Sequence, residues 1–214
     1  MILFRNYMGY VDIHTHQEKE GKTILNCYPH EFCPKDGRWY SVGIHPWYVS
    51  GASLTDDFEK LKECVCHPQV LALGECGLDK RSETDMDLQA IVFERQIELS
   101  EEIQKPMILH VVHAYNEIIR LRKEMKPRQP WIIHGFRGKA EIAAQLLRVG
   151  FYLSFGEHFS LESLHTIPLD RLFIETDESL LPIEGIYSKV AEGLSITSDI
   201  LEKRIEENSS LFWK

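Results

Sequence analysis

Two histidines near the start of the chain have the spacing of a metal-binding pair. They lie in the segment Asp12-Ile-His14-Thr-His16, which follows the pattern of a short strand. Alternate residues of a strand point to the same face, so His14 and His16 point the same way, and Asp12 lies one step deeper on that face. Two imidazoles at this separation can chelate one divalent ion. A His-x-His pair alone is weak evidence for a metal, because most such pairs bind none.

Four more ionisable residues stand where later apolar runs end. They are Glu75, His110, His134 and Asp177. In an α/β barrel the carboxyl ends of the strands converge on one face, where the active site lies. The alternative is that each residue is a buried polar group with its own unrelated partner. That is acceptable for one or two residues and costly for six, because unpaired buried charge is expensive. The pattern therefore predicts one shared metal site.

The elements that must position these residues are short apolar runs with helical patterns between most of them. This alternation predicts a parallel sheet. Eight runs qualify as strands: Tyr10–His16, Lys22–Tyr28, Tyr40–His45, Val70–Gly77, Met107–Val112, Trp131–Phe136, Tyr152–Gly156 and Leu172–Asp177. Eight strands close a TIM-type (β/α)8 barrel, although 214 residues is short of the typical length of about 250. With no repeat or linker, we expect a single domain over residues 1–214.

The first quarter of the chain does not fit the full barrel pattern. Only the five residues Gln17–Gly21 separate the first two strands, whereas a parallel crossover needs about a dozen. The following stretch, 27–38, contains two prolines and a glycine, which oppose a helix. We therefore predict a reduced barrel that lacks the first outer helices, with no full helix between Gln17 and Tyr40. Whether the second strand runs antiparallel or sits out of place stays open.

Composition limits the class of protein. Apolar residues make up 43% and charged residues 27%, as in a soluble globular enzyme. The net charge of −9 does not favour a protein that coats nucleic acid through a broad basic field. A basic cluster at 120–128 is better explained as a solvated helix face. Five cysteines without a CxxC pair indicate reduced thiols. The first residues, 1–6, lack the pattern of a signal peptide. We expect a cytoplasmic protein with neither a membrane nor an obligatory protein partner.

Taken together, the motifs resemble those of the TatD family of metal-dependent hydrolases, within the amidohydrolase superfamily. The resemblance covers almost the whole chain, and the ordered motifs are highly specific. They are Asp12–His16, Gly43-Ile-His-Pro46, Gly74-Glu-Cys-Gly-Leu-Asp79, Phe93–Gln96, Lys105-Pro-Met-Ile-Leu-His110, His134-Gly-Phe136, Glu175-Thr-Asp177 and Asn208–Phe212.

This resemblance implies two divalent metal ions, which would be zinc, manganese or magnesium. One ion would be held by His14, His16 and Asp177, and the other by His110 and His134, with Glu75 bridging both. A water between the ions would be the nucleophile, its pKa lowered by their charge. Asp177 would also act as general base. The catalytic residues are thus expected to be Asp177 and Glu75.

Other motif residues have different expected roles. His45 follows a strand and resembles a histidine that lines the family's site, so we predict contact with substrate; a turn-structuring role is the alternative. Asp79 either orients a ligand or caps the next segment. Gln96 and Asn208 fall on apolar helix stripes, which predicts hydrogen-bonded core groups. Cys76 should face away from the barrel interior.

Three departures from the family pattern lie beside the expected site. Val112 stands where the family usually has an arginine, in His110-Val-Val-His-Ala114. Lys80-Arg81 replaces an aromatic pair, and Asp177-Glu-Ser-Leu-Leu181 replaces the usual Asp-Ser-Pro sequence. These changes make the metal chemistry a firmer expectation than the substrate.

By resemblance, the expected activity is that of a phosphodiesterase, a deoxyribonuclease that trims DNA ends or acts on another small phosphodiester. A second hypothesis is hydrolysis of an amide, lactone or aminoacyl ester, because the same chemistry attacks carbonyl carbon. A third is a binding protein without activity, which the complete set of six ligands disfavours.

Overall fold

The computed structural model describes residues 9–213, and in it eight parallel strands pair in sequence order. They are β1 (Val11–Thr15), β2 (Lys22–Cys27), β3 (Trp39–Val42), β4 (Val70–Asp79), β5 (Met107–Val112), β6 (Trp131–Ile133), β7 (Tyr152–Phe155) and β8 (Leu172–Ile174). The ends meet where Thr15 bridges to Asp177, just beyond β8. The expected eight-stranded TIM-type barrel is confirmed.

Seven α-helices follow the third and later strands and surround the barrel in the described part of the chain. They are α1 (Leu54–Val65), α2 (Met86–Ile103), α3 (Tyr115–Met125), α4 (Ala140–Arg148), α5 (Leu161–Thr166), α6 (Ile183–Gly193) and α7 (Ser198–Asn208). Helix α2 begins where the Asp85 carboxylate accepts hydrogen bonds from the backbone of Asp87 and Leu88. Large apolar side chains such as Phe93 and Trp131 are fully buried between helices and strands.

The connection between β1 and β2, residues 16–21, contains neither helix nor strand. It returns the chain so that β2 lies parallel to β1, with Val11 opposite Lys22. The antiparallel or displaced second strand left open from the sequence is therefore wrong. Seven extended residue steps from Thr15 to Lys22 can span roughly 23 Å, more than the roughly 17 Å of a five-residue strand. A link this short can reach the next strand start only by giving up its helix.

The prediction of no full helix between Gln17 and Tyr40 is confirmed. The segment between β2 and β3 contains one 3-10 turn, Pro29–Glu31, whose first residue is one of the two prolines noted in the sequence. Part of the missing outer cover is supplied from the other end of the chain, because α7 packs against β1 and β8. The barrel is therefore reduced on one side while its strand order is complete.

Two further expectations can be compared with the structure. All five cysteines, which lie between residues 27 and 76, are free. Within residues 9–213, every helix is too short or too polar to cross a lipid bilayer. The first residues, on which the expectation of no signal peptide depends, lie outside the described part of the chain.

Candidate metal centre

The six residues predicted to form a shared site lie together at the carboxyl ends of the strands. His14 and His16 come from the end of β1, Glu75 from within β4 and His110 from within β5. His134 and Asp177 follow the last residues of β6 and β8. Three overlapping groups have ligand atoms within 4.8 Å of one another: His14, His16 and Glu75; His14, His134 and Asp177; and His45, Glu75 and His110.

Glycines allow β4 to pass close to β5 and so place Glu75 beside His110. Gly74 and Gly77 flank this part of β4 with φ of 153° and 142°. A Cβ on Gly74 would lie 2.4 Å from the Ile108 oxygen, and one on Gly77 would lie 2.1 Å from the His110 oxygen. Side chains larger than hydrogen are therefore excluded by both backbone conformation and space.

The first half of the site has the spacing of a metal coordination shell. The Nε2 atoms of His14 and His16 lie 3.6 Å and 3.5 Å from Glu75 Oε2. The same two atoms lie 3.7 Å and 3.6 Å from Asp177 Oδ1. Ligand atoms of a tetrahedral zinc site with bonds of about 2.1 Å lie roughly 3.4 Å apart. The four distances between these imidazoles and carboxylates are therefore close to those between ligand atoms around one divalent ion.

His14 provides an independent observation in favour of a metal. Its ring is fully buried, and neither Nδ1 nor Nε2 has a hydrogen-bond partner within residues 9–213. Burial lowers its pKa well below the ordinary value, which keeps the imidazole neutral and able to bind a metal. A buried imidazole with two unpaired nitrogens is costly. An ion at Nε2 would provide the missing partner.

Glu75 is the central carboxylate of the site and is only 4% exposed. Burial alone would raise its pKa, but the facing His134 and hydrogen bonds from His110, His134 and His16 hold it well below the usual range. Its two oxygens face different partners, because Oε2 lies near His14 and His16 while Oε1 lies near His110 and His134. This is the arrangement required of a bridging ligand.

The second half of the site is more compact. Glu75 Oε1 lies 2.7 Å from His110 Nδ1 and 2.8 Å from His134 Nε2, and the two ring nitrogens are 3.4 Å apart. Two of these distances are hydrogen-bond lengths, so the groups pair directly with one another here. The donor set of two imidazoles and a carboxylate suits zinc or another divalent transition ion.

Outer carboxylates hold the far sides of both rings. His110 Nε2 lies 3.1 Å from Asp79 Oδ2, and His134 Nδ1 lies 3.4 Å from Glu175 Oε1. The Asp79–His110 contact is a hydrogen bond of the kind that fixes the tautomer and orientation of a metal-binding imidazole. His134 Nδ1 lies near Glu175 but has no hydrogen-bond partner within residues 9–213. Asp79 also accepts a hydrogen bond from the Arg81 backbone, so it contacts both His110 and the segment that follows β4. Glu175 belongs to the motif Glu175-Thr-Asp177, but the sequence did not predict its contact with His134.

Asn26 on β2 is a site residue that the sequence did not reveal. Its side-chain oxygen accepts a hydrogen bond from the Glu75 backbone at 2.9 Å, and its Nδ2 donates to Glu75 Oε2 at 3.3 Å. Ser41 on β3 donates to the same Asn26 oxygen. The only sequence clue was a polar residue directly after the apolar pair Ile24-Leu25 of β2.

His45 lies against Glu75 and is buried. Its Nδ1 accepts a hydrogen bond from the Trp47 backbone at 3.1 Å, which leaves the ring proton on Nε2. That Nε2 lies 3.2 Å from Glu75 Oε1. Burial lowers the pKa of His45, so the neutral ring acts as a hydrogen-bond donor toward the carboxylate. This tautomer disfavours metal ligation by Nε2, and contact with substrate stays a prediction.

The seam between β1 and β8 presents Asp177. This residue has φ of 53°, and its backbone N donates to the His14 oxygen while its own oxygen accepts from His16. Asp12 lies one step deeper but bonds to the backbone and hydroxyl of Thr176, away from the three metal-competent groups. Burial raises the pKa of Asp12 to about 7.

Three other motif residues have supporting roles. Gln96 exchanges two hydrogen bonds with the backbone of Ile44, next to His45. Asn208 donates to the backbone oxygens of Leu169 and Leu172, at the start of β8. Both side chains are hydrogen-bonded as predicted; Gln96 is fully buried in the core, whereas Asn208 is half-buried. Cys76 contacts the Ile108 oxygen, and burial raises the pKa of its thiol well above the ordinary value.

Comparison with known proteins agrees with this architecture. The family model "TatD related DNase" matches residues 30–214. An uncharacterized metal-dependent hydrolase of Bacillus subtilis, YabD, is 36% identical over 64% of this chain and 57% of its own length. The 3'-5' ssDNA/RNA exonuclease TatD of Erwinia tasmaniensis is 31% identical over 67% of this chain and 60% of its own length. The chain thus spans about three fifths of these relatives.

Solved structures share the fold. The Escherichia coli TatD homologue YjjV has a TM-score of 0.81 at 18% identity, with 95% of this chain and 97% of that chain covered. A TatD family hydrolase of Entamoeba histolytica has a TM-score of 0.69 at 18% identity, with 82% and 74% covered. With its family-model match extending over most of the sequence, the chain belongs to the TatD family of metal-dependent hydrolases.

Proposed function

We propose that this protein is a phosphodiesterase that uses two divalent metal ions to hydrolyse DNA or another small phosphodiester. The observation that carries this proposal is the position of Glu75, whose two oxygens face two separate groups of imidazoles. Support for the substrate class comes from the relative in Erwinia tasmaniensis, which is named a 3'-5' ssDNA/RNA exonuclease.

Five side chains besides Glu75 would hold the ions. One ion would bind to His14, His16 and Asp177, since the Nε2 atoms of both histidines lie 3.7 Å and 3.6 Å from Asp177 Oδ1. The other would bind to His110 Nδ1 and His134 Nε2, whose opposite ring nitrogens face carboxylates. When bound, divalent ions would supply positive charge that activates water and stabilises the attacked phosphoryl group.

Asp177 is the carboxylate best placed to exchange a proton with a reacting group. Its side chain is 28% exposed and lines the cleft beside the site, whereas Glu75 is 4% exposed and enclosed by histidines. We assign Asp177 the role of general base. His45 would donate a hydrogen bond from Nε2 to an anionic substrate that displaces part of its contact with Glu75.

The proposed reaction is tested by turnover of metal-loaded protein on bis(4-nitrophenyl) phosphate and a short DNA strand, beside ester and amide probes. We expect hydrolysis of the phosphodiesters that stops with chelation and returns with manganese, magnesium or zinc. Asp177→Asn should lower turnover by a factor of about 100 or more. The neighbouring exposed Glu178→Gln is the matched control and should keep turnover. Activity confined to the carbonyl probes would reject a phosphodiesterase.

A further inference from the structure

A cleft beside the candidate metal centre carries an excess of positive charge. It has a volume of about 630 Å³ and is bounded by segments after β4, β5 and β6. Three cationic side chains line it: Arg81, Arg137 and Lys139. The acidic residue among its lining residues is Asp177, at the metal centre. The charge of this cleft is therefore opposite in sign to the net charge of the whole chain, which is −9.

The three cations have no counter-ion within residues 9–213. All three are exposed, and no carboxylate in this range lies within 4.0 Å of their charged nitrogens. The adjacent Lys80, by contrast, is paired with Glu117 at 2.7 Å. Unpaired cations gathered around one concave surface form a site for an anion with several charges.

The cleft is also where the chain departs from the family pattern. Val112, which stands in place of the expected arginine, lines this same cleft. Arg81 belongs to the Lys-Arg pair that replaces two aromatic residues. The positive charge that an arginine at position 112 would have brought is thus supplied by other residues of the same cleft.

Tyr115 adds an aromatic surface to the cleft. Its ring is half-buried and lies edge-on to Phe136, with centroids 5.9 Å apart. An aromatic ring among cations suits a strand with unpaired bases, because bases stack on aromatic side chains while phosphates pair with cations. A duplex would keep its bases away from such a ring.

We propose that this cleft binds the phosphate backbone of a single-stranded nucleic acid. Arg81, Arg137 and Lys139 contact phosphates adjacent to the one at the metal centre, and Tyr115 contacts a base. This subsite rests on the proposed function, because it positions the substrate of that reaction.

The test is binding of a fluorescent twelve-residue oligothymidine to metal-loaded protein, followed by anisotropy over a range of salt concentrations. Phosphorothioate linkages slow its hydrolysis. In the variant Arg81→Gln, Arg137→Gln and Lys139→Gln, we expect affinity at low salt to fall at least tenfold. The slope of log affinity against log salt should fall by about 2, since each phosphate contact on a single strand contributes about 0.7. Oligouridine in parallel shows which backbone binds more tightly.

A matched variant removes three cations far from the site. Lys123, Lys126 and Arg128 are exposed near the end of α3, which starts at the metal-centre face and runs away from it. Their change to glutamine alters net charge equally and should leave affinity within twofold of wild type. Should the first triple variant fail to fold, each of its single substitutions should still lower the salt slope by about 0.7.

Equal affinity of the two triple variants for the oligonucleotide would overturn the subsite. So would displacement of the labelled oligothymidine by polyglutamate as effectively as by unlabelled oligothymidine. The proposed reaction is judged separately, by wild-type turnover of bis(4-nitrophenyl) phosphate. If the wild type hydrolyses this phosphodiester but binding does not depend on the three cations, the proposed function stands and the proposed subsite is wrong. Binding that depends on the cations without turnover of any phosphodiester keeps the subsite and removes the reaction.

Discussion

At the scale of single residues, the central feature is one carboxylate surrounded by imidazoles. Glu75 lies within 3.6 Å of nitrogen atoms from His14, His16, His45, His110 and His134. In a buried position, several imidazoles cannot all carry protons without strong mutual repulsion. A divalent ion relieves this conflict, because it concentrates positive charge at one point and accepts neutral nitrogen lone pairs.

Replacing the central carboxylate should therefore affect both halves of the site. For Glu75→Gln we expect the bound zinc to fall from two equivalents to less than one, because an amide binds metals weakly and cannot bridge as an anion. Elemental analysis after dialysis against dilute zinc measures this. The control is Glu98→Gln, an exposed position on α2, which should retain both ions. Two equivalents of zinc in Glu75→Gln would contradict the bridging role.

Metal affinity should rise with pH. Hydrogen bonding to Glu75 raises the pKa of His16, and the charges of Glu75 and Glu175 outweigh burial to raise that of His134. A raised pKa means that the proton is held more tightly and competes with the metal at pH values above 6.5. Affinity should therefore fall on acidification from pH 8 to pH 6, with up to about one proton released per ion bound.

Calorimetric zinc titrations in buffers of different ionisation enthalpy measure this proton release. His165→Ala changes an exposed histidine on α5, away from the strand ends that form the site, and should show the same pH dependence as wild type. A constant affinity between pH 6 and pH 8 would show that the imidazoles do not exchange protons for metal.

At the scale of elements, β4 is the strand whose sequence is most constrained. It supplies Glu75 and Asp79, and it lies against β5 closely enough for Asp79 to reach His110. The ten-residue strand contains two glycines because the adjacent backbone fills the space of a side chain at both positions. The close approach of β4 to β5, which places the side chains of the site, therefore requires glycine at these two positions.

A methyl group at Gly77 should damage both stability and the site. In Gly77→Ala the new Cβ would meet the His110 oxygen, and the positive φ is unfavourable for alanine. We expect the free energy of unfolding to fall by at least about 2 kcal/mol, measured by urea denaturation. Gly51→Ala is the control, because its Cβ would meet nothing within 4 Å. An unchanged unfolding midpoint in Gly77→Ala would show that the two strands separate easily.

At the scale of the whole molecule, the site joins parts of the barrel that are distant in sequence. Its side chains come from β1, β4, β5 and the segments after β6 and β8, so they span the seam where the barrel closes. Metal binding should then contribute directly to global stability.

We expect metals to stabilise the folded barrel strongly. An ion present at 100 times its dissociation constant contributes about 2.7 kcal/mol per site. Urea unfolding should therefore shift to lower urea when EDTA replaces zinc or manganese. His14→Ala should lose the stabilisation that comes from metal at the first site and keep the stabilisation that comes from the second. Identical unfolding midpoints with and without metal would exclude a folded-state metal centre.

The sequence by itself determined the eight strands, the missing helices and the set of residues that converge. This was possible because each strand that supplies a predicted ligand carries an apolar run with an ionisable residue at or near its end, so position along the chain predicts position in the barrel. His14, Glu75 and Asp177 were identified in this way, while the family resemblance added their expected roles. The prediction for Asp79 remained open because spacing does not reveal which side chain faces it.

Only the tertiary structure decided the partners. The parallel course of β2 depends on a six-residue link without a helix, and no propensity rule describes how far such a link reaches. Asn26 and Glu175 act through contacts with residues 49 and 41 positions away, and neither has a local pattern that sets it apart. The basic cleft was likewise invisible, because Arg81 and Lys139 become neighbours only when β4, β5 and β6 pair in order. Contacts between distant segments are set by closure of the barrel, which is a property of the whole chain.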